Sequence, residues 1–572
     1  MLESEKSPKP ATQNFVEMVT QRISRRGVLK LTAFAGAGAV AAPLFSATGS
    51  TAEAAANSDV TTALNAGIGF QPIQPSTADE LILPTGFSYN VIRSWGDFVV
   101  GGEKFGFNND YIAYFPMDFL QGGNSSNEGL LWVNHEYVSP LFTSNRPANV
   151  NPTFEQLIKE KSEVGGSVIH IRRNAIGNWE FVDDPAHNRR VTAWSLIDLD
   201  GPAAGSAEVF GATTVQGTLA NCAGGHTPWG TALSAEENYQ DYGSDAAKGG
   251  YGWGKTDGKD DRYFADQHYG WIVEIDPFNK DRRPVKHTAL GRFRHENATT
   301  VIGPSGKVVV YMGYDKADEC VFKFISKGKY NPTDREANMK LLSEGTLYVA
   351  DFGKGVWLPV VLAAQPKLQA AYKSQAAVLV DAGAAGKLIG GTATDRPEDI
   401  KINPADGSVF ISFTNNSNHS NYYGQISRIY EAGGNHEATS FSWEIFATGG
   451  PQKGSGFAAP DNLIFDNKGN LFVFCDVSSS VAGKSIYTFA GNNGVYVIPT
   501  TGPSEGIAFQ FASGPVECET TGPFFTPDFK TLFLSIQHPG EESSSLDKLS
   551  SHWPEGGTSI PKPAIIAITG FR

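Results

Sequence analysis

Cysteine is scarce: the 572 residues hold four, at 222, 320, 475 and 518, and none forms a CxxC pair. That excludes a zinc ribbon and a disulfide-dense scaffold. A basic stripe is also missing, because no long cluster of Lys and Arg follows residue 30 and 60 Asp and Glu outnumber 46 Lys and Arg. A chain of net charge −14 is not expected to neutralise a phosphate backbone, so nucleic acid is set aside as a partner. Amphipathic helical periodicity is rare, with Phe154 to Glu163 and Pro359 to Val378 the best candidates after residue 60. What the chain does have is 40% hydrophobic and 11% aromatic residues, enough for a large buried core and too many for disorder.

The first 54 residues read as an address. Residues 24 to 31 are Ser-Arg-Arg-Gly-Val-Leu-Lys-Leu, followed by a weakly apolar stretch from Thr32 to Ala47 and the small-residue cleavage pattern Ala52-Glu53-Ala54-Ala55. This is the form of a twin-arginine export signal. The apolar stretch is mostly Ala and Gly and falls short of the ~20 residues a membrane anchor needs, and no later segment reaches that length. The expected mature protein is therefore residues 55–572, a single domain exported folded to the periplasm or beyond, with no membrane span. Export in the folded state suits proteins that acquire a metal or cofactor first.

A loose repeat runs through the remainder: four or five apolar residues followed by a sudden polar cluster. The copies are Leu130–Val133 into Asn134-His135-Glu136, Thr231–Leu233 into Glu236-Glu237-Asn238, and Val308–Tyr311 into Asp315 and Glu319. Three more follow: Val409–Ile411 into Thr414-Asn415-Asn416, Leu471–Phe474 into Asp476, and Leu532–Leu534 into Gln537-His538-Pro539-Gly540-Glu541. Upstream of most copies lies a second polar position, at Cys222, Glu296, Glu398, Asp461, and Glu517 with Glu519, and Asp110 fills that place at a longer remove. Six small antiparallel sheets around one axis explain this pattern, so the expected fold is all-β, a six-bladed β-propeller with a few short helices in insertions. Asn and Asp after a strand are ordinary turn formers. Glu is not, and several Glu converging on one channel repel one another unless cations neutralise them. The convergence predicts metal.

Carboxylate and amide oxygens suit Ca²⁺, whereas a thiolate at Cys222 adds a softer ligand that favours iron beside the harder ions. Cys222 lies in Asn221-Cys222-Ala223-Gly224-Gly225-His226-Thr227-Pro228-Trp229-Gly230-Thr231, small enough for a close backbone approach; a buried structural cysteine, or half of a disulfide with Cys320, Cys475 or Cys518, is the alternative. Arg396 precedes Pro397 and Glu398, which places a guanidinium beside a candidate ligand, and its fork matches phosphate oxygens. Two other motifs carry little. Gly249 to Thr256 fits GxxxxGK[ST] without a preceding strand, and Gly502 to Gly506 fits GxSxG without a strand-to-helix turn.

The twin-arginine segment, the Cys222 run through Glu236-Glu237-Asn238, Gly291-Arg292-Phe293-Arg294-His295-Glu296, Asp395-Arg396-Pro397-Glu398 and Gln537-His538-Pro539-Gly540-Glu541 together resemble the PhoX family of secreted bacterial alkaline phosphatases. The resemblance implies a propeller carrying an Fe³⁺ and Ca²⁺ cluster that hydrolyses small phosphomonoesters, met by the twin-arginine machinery on its way out. It implies Cys222, Glu296 and Glu398 as iron ligands and Arg396 as the group that grips phosphate. Glu136, Glu236, Asp315, Glu319 and Glu519 are assigned to the rest of the cluster. Two departures stand in this chain: Ala235 where the family often has Cys, and Gly313-Tyr314-Asp315 where it often has Gly-Asp-Asp. A calcium-only phosphodiesterase or lactonase-type propeller, and a non-catalytic ligand-binding propeller, are the alternatives. A monomer is expected.

Overall fold

The computed structural model describes residues 15–22, 67–254 and 264–572. Arg25-Arg26, the Ala52–Ala55 cleavage pattern and the last two residues of the GxxxxGK[ST] match lie outside the described residues. Six sheets succeed one another along the chain as blades, antiparallel throughout except where Val285–His287 pairs parallel with Leu196–Asp200 in blade 2. The innermost strands of blades 1 to 6 are Asn109–Pro116, Asn221–His226, Thr299–Ile302, Pro397–Ile402, Pro460–Phe465 and Glu519–Phe525. Their second strands are Glu128–His135, Ala232–Glu236, Lys307–Gly313, Val409–Phe413, Asn470–Cys475 and Thr531–Gln537. Each second strand contains one of the apolar runs of the repeat. The ring closes where Glu519–Phe525 meets Asn109–Pro116, and Ser88–Ser94 supplies the outer strand of blade 6 by pairing with Ala564–Thr569.

The second strands are continuously apolar because they are buried on both faces. Side chains alternate across a strand, so in Lys307–Gly313 Val308 and Val310 pack toward blade 2 while Val309 and Tyr311 pack toward blade 4. The same alternation places Phe410 toward blade 5 and Val409 and Ile411 toward blade 3. In all, one apolar layer separates each pair of neighbouring blades. Each fully buried Val, Leu or Phe in these layers contributes ~1.5–3 kcal/mol, and the layers fix the angular position of every blade about the axis.

The helices are short. Phe154–Glu163 forms where expected, started by a Thr153 capping box with Gln156. The second amphipathic stretch, Pro359 to Val378, breaks into a 3-10 turn at Leu362–Ala364 and the helices Pro366–Ala371 and Gln375–Val380, because Ser374 caps a new start and the intervening Tyr372 is extended; a further helix, Ala382–Ile389, follows it. These helices cover the outside of the layer between blades 2 and 3. Gly502–Gly506 is a turn between two strands of blade 5, not a nucleophile elbow. A further helix, Phe15–Arg22, lies inside the segment expected to be an address and packs on blades 3 and 4. Among the described residues no helix is long and apolar enough to cross a membrane.

Candidate metal centre and active site

Every blade carries the same irregularity, and in blades 1 to 5 it delivers a polar group. The innermost strand holds one residue more than the segment it faces: Asn109 pairs with His135 but Ile112 with Val133, and Asn221 with Glu236 but Gly224 with Ser234. Blades 4, 5 and 6 repeat this between Pro397 and Ile400, Pro460 and Leu463, and Thr521 and Phe524. In blade 3 the His295–Tyr314 bridge and the Thr299–Tyr311 pair enclose the same extra residue. Such β-bulges re-aim side chains. Asp110, Cys222, Glu296, Glu398 and Asp461 all sit within these bulges.

Two residues before a ligand position the backbone is left-handed at Asn108 (φ 55°), Ala220 (52°), Arg396 (57°), Ala459 (48°) and Glu517 (59°), and Glu519 thereby takes the sixth place. The carbonyl of four of these residues accepts the N–H of the residue just past the end of the second strand. Asn108 O accepts from Glu136 at 2.9 Å, Ala220 O from Glu237 at 2.8 Å, Arg396 O from Thr414 at 3.1 Å and Ala459 O from Asp476 at 2.9 Å. In blade 3 Arg294 O accepts from Asp315 at 3.2 Å. Blades 1 to 5 therefore each aim one side chain from the inner strand and one from the end of the second strand at the axis, and blade 6 supplies Glu519 from the start of its inner strand.

Ligand atoms of Asp110, Glu136 and Cys222 come within 4.8 Å of one another, and so do those of Glu296, Asp315 and Glu398. Cys222 Sγ joins the two groups, standing 3.2 Å from Glu296 Oε1 and 3.4 Å from Oε2. Asp461, Asp476 and Glu519 complete the ring electrostatically: Glu519 and Asp476 act on Asp461, and Asp476 and Asp110 act on Glu519. Burial first, and neighbouring carboxylates second, push Glu136, Glu237, Glu296, Glu398, Asp461 and Glu519 well above the ordinary carboxylate range. Burial likewise pushes Asp110 up to about 6, against hydrogen bonds from Thr521 and Cys222, and lifts the Cys222 thiol well above its usual value.

Arg396 faces this ring. Its Nε and Nη2 fork onto Asp315 at 2.8 and 2.7 Å, and Nη2 reaches Glu398 Oε1 at 3.0 Å. Burial works against its charge, but Asp315 and Glu398 more than offset it and hold the guanidinium firmly protonated. Asp395 and Asp399 are occupied elsewhere, with His419 and Asn421 and with Lys401. Other polar groups hold the ring in place: Thr414 donates to Glu398 at 2.7 Å, Gln537 to Glu136 at 2.8 Å, Thr521 to Asp110 at 2.6 Å and Tyr137 to Glu237 at 3.1 Å.

Of the residues expected from sequence, Arg396, Glu136, Cys222, Glu296, Asp315, Glu398 and Glu519 are brought together. Glu236 and Glu319 are not. Glu236 ends the ladder, paired with Asn221, and points into blade 2, where Lys286 Nζ at 2.8 Å, Thr218 and the N–H groups of Gly270 and Trp271 take its oxygens. Glu237, one residue on, faces the axis instead. Glu319 lies outside the ring and pairs with Lys387 at 2.5 Å. The members missing from the expected set are Asp110, Asp461, Asp476 and Glu237, whose signal was their position in the repeat, and Arg294. Arg294 stands two residues before Glu296 as Arg396 stands before Glu398, and its charge acts on Glu237.

The residues fit bound cations. Glu237 Oε1 is buried without a hydrogen-bond partner, and the facing guanidinium groups of Arg396 and Arg294 are too few to balance the surrounding carboxylates. Fold and site together define a metal-dependent hydrolase built on a six-bladed propeller. The sequence profile of the alkaline phosphatase PhoX family matches residues 68–540, and the chain belongs to that family. It is a phosphatase. The structure of Pseudomonas fluorescens PhoX in complex with vanadate, a transition-state analogue, is similar, with 32% identity and a TM-score of 0.79 over 88% of this chain and 98% of that one. Two gluconolactonases, from Xanthomonas campestris and Pseudomonas aeruginosa, are each 10% identical, with TM-scores of 0.29 and 0.33 over 82% and 85% of this chain and 99% of each of theirs. No curated protein sequence matches the chain.

Proposed function

We propose that this phosphatase cleaves its monoester beside a mixed iron and calcium centre, with Cys222, Glu296 and Glu398 holding iron and the harder set around Asp461, Asp476 and Glu519 holding calcium. The donor chemistry supports this division: one thiol stands where the two carboxylate groups meet, and the remaining donors are oxygens. When bound, such ions neutralise phosphate charge and lower the pKa of the attacking oxygen. The carboxylates of this chain supply the negative cavity that retains the ions, and their burial keeps bulk water from screening them.

The observation that carries the reading is the place of Arg396. Phosphoryl transfer needs its equatorial oxygens held and neutralised more than it needs covalent help. Arg396 is fixed by a left-handed backbone and by the Asp315 fork, yet its side chain stays 28% exposed. It can shift part of its fork from Asp315 to a phosphate oxygen as the ester enters and strengthen that contact in the transition state. The vanadate held by the Pseudomonas fluorescens relative supports a site formed for five-coordinate phosphorus. Arg294, at the equivalent place of blade 3, holds a second oxygen of the bound ester.

Arg396→Ala is expected to lower kcat roughly 10²–10³-fold and to raise KM while leaving metal content intact; unchanged turnover of p-nitrophenyl phosphate would remove Arg396 from the site. Arg294→Ala is expected to act mainly on KM, raising it on the order of tenfold, since it removes one charged contact. We propose further that the precursor leaves the cytoplasm folded by the twin-arginine route, its leader ending near Ala54.

A further inference from the structure

The helix Phe15–Arg22 sits on the propeller, although the sequence places it in the leader. Phe15 and Met18 are buried, and Glu17 and Thr20 face outward. The Phe15 ring stacks on Trp443 at 6.0 Å and meets Phe413 and Phe352 edge-on at 5.3 and 5.8 Å. Met18 Sδ lies over Gly353, 3.4 Å from where a Cβ would stand. At the helix C-terminus the Arg22 guanidinium lies over the Trp443 ring at 5.0 Å and reaches its carbonyl at 3.4 Å.

The walls of this groove come from two blades. Phe352 follows a blade 3 strand, whereas Phe413, Phe441 and Trp443 belong to blade 4. The blades are pinned together there: Trp443 Nε1 donates to Phe352 O at 2.9 Å, Phe441 N to Gly355 O at 2.8 Å and Trp357 N to Thr439 O at 2.9 Å. The groove therefore exists only once both blades have folded and met. Eight residues are too few to hold a helix alone in water, where ~12–15 are needed even for favourable sequences, so helix and groove form together.

We propose that this groove is an intramolecular docking site for the leader helix, which latches the segment leading into Arg25-Arg26 onto the folded propeller. Three Cα-to-Cα steps separate Arg22 from Arg25, a reach of no more than about 11 Å. The arginine pair is thereby tethered close to blades 3 and 4 whenever the helix is docked, and docking reports that those blades are complete. The docking stands on the contacts above; its meaning for export rests on the leader reading.

Hydrogen exchange of the full-length chain tests the docking. Amides 19–22, which follow the first helical turn, are expected to exchange at least about tenfold more slowly than in an unstructured peptide. The double variant Phe15→Asp with Met18→Asp is expected to abolish that protection, whereas Glu17→Ala, on the outer face, keeps it. Turnover of p-nitrophenyl phosphate unchanged in all three proteins shows the propeller intact. Exchange at the unstructured rate in the parent chain, or protection that survives the double variant, would overturn the proposal. N-terminal sequencing of the exported protein tests the leader separately: a start near residue 55 supports it, and a chain still carrying Phe15 would overturn the leader reading while the exchange result decides the docking.

Discussion

Glu236 and Glu237 are adjacent carboxylates with opposite duties. Glu236 is buried against Lys286, and breaking such a pair leaves a stranded charge at a cost of about 3–5 kcal/mol. Glu236→Gln is therefore expected to lower the thermal or denaturant midpoint sharply while the folded fraction keeps its turnover. Glu237→Gln should do the reverse. It removes a charge that burial and Asp315 already disfavour, so the metal-free chain keeps or gains stability, while turnover falls at least about tenfold through the lost anion. Equal stability losses in the two variants would contradict this assignment. From sequence the pair could not be separated, because side-chain direction alternates residue by residue and the count is set by where the ladder ends. Glu319 misled for a related reason: it follows the same apolar strand as Asp315 but lies four residues on, within reach of Lys387.

At the scale of the element, the second strands were legible and the innermost ones were not. A strand buried on both faces is a continuous apolar run such as Leu471–Phe474. An innermost strand such as Asn221–His226 is Asn-Cys-Ala-Gly-Gly-His, and its small residues are there for close approach: a Cβ on Gly225 would lie 1.9 Å from Ala298 O, in the neighbouring blade. The bulges have no sequence signature either, yet they set which residue turns to the axis. The left-handed residues before the ligand positions give a test of the shared geometry. Ala220 and Ala459 adopt a conformation that disfavours any Cβ by roughly 1–2 kcal/mol. Ala459→Gly and Ala220→Gly are expected to raise stability by up to about 1 kcal/mol in equilibrium unfolding, and a loss in both would argue against the left-handed backbone.

For the whole molecule, six blades share one arrangement, and stability and chemistry are separated by radius. The metal donors lie at the axis, whereas buried charges that tie the strands of one blade to each other lie further out. His287 is one of these, with Nδ1 3.0 Å from Asp200 and Nε2 2.8 Å from Glu274. Burial pulls its pKa down, but Asp200 and Glu274 outweigh burial and raise it to about 10. A group raised in the folded state adds stability that is complete below its unfolded pKa of ~6.5 and is lost as pH rises through the folded value. Unfolding midpoints should therefore fall between pH 7 and pH 10 in the parent chain, and less steeply in His287→Gln. Parallel slopes would show that His287 does not titrate in this window. The six-bladed fold and most of the carboxylate ring were readable from a repeat of apolar run and polar cluster. The contact of the N-terminal helix with blades 3 and 4 was not, because a short amphipathic segment acquires its structure from a groove assembled more than 300 residues later in the chain.

The central claim is that the ring of buried carboxylates and Cys222 works only when cations fill it. Elemental analysis of the purified protein, paired with p-nitrophenyl phosphate turnover at alkaline pH before and after chelation, tests this most directly. The expected result is iron and calcium in fixed ratio to protein, turnover abolished by chelating calcium and restored by adding it back. Full turnover in a chain stripped of both metals would contradict the account.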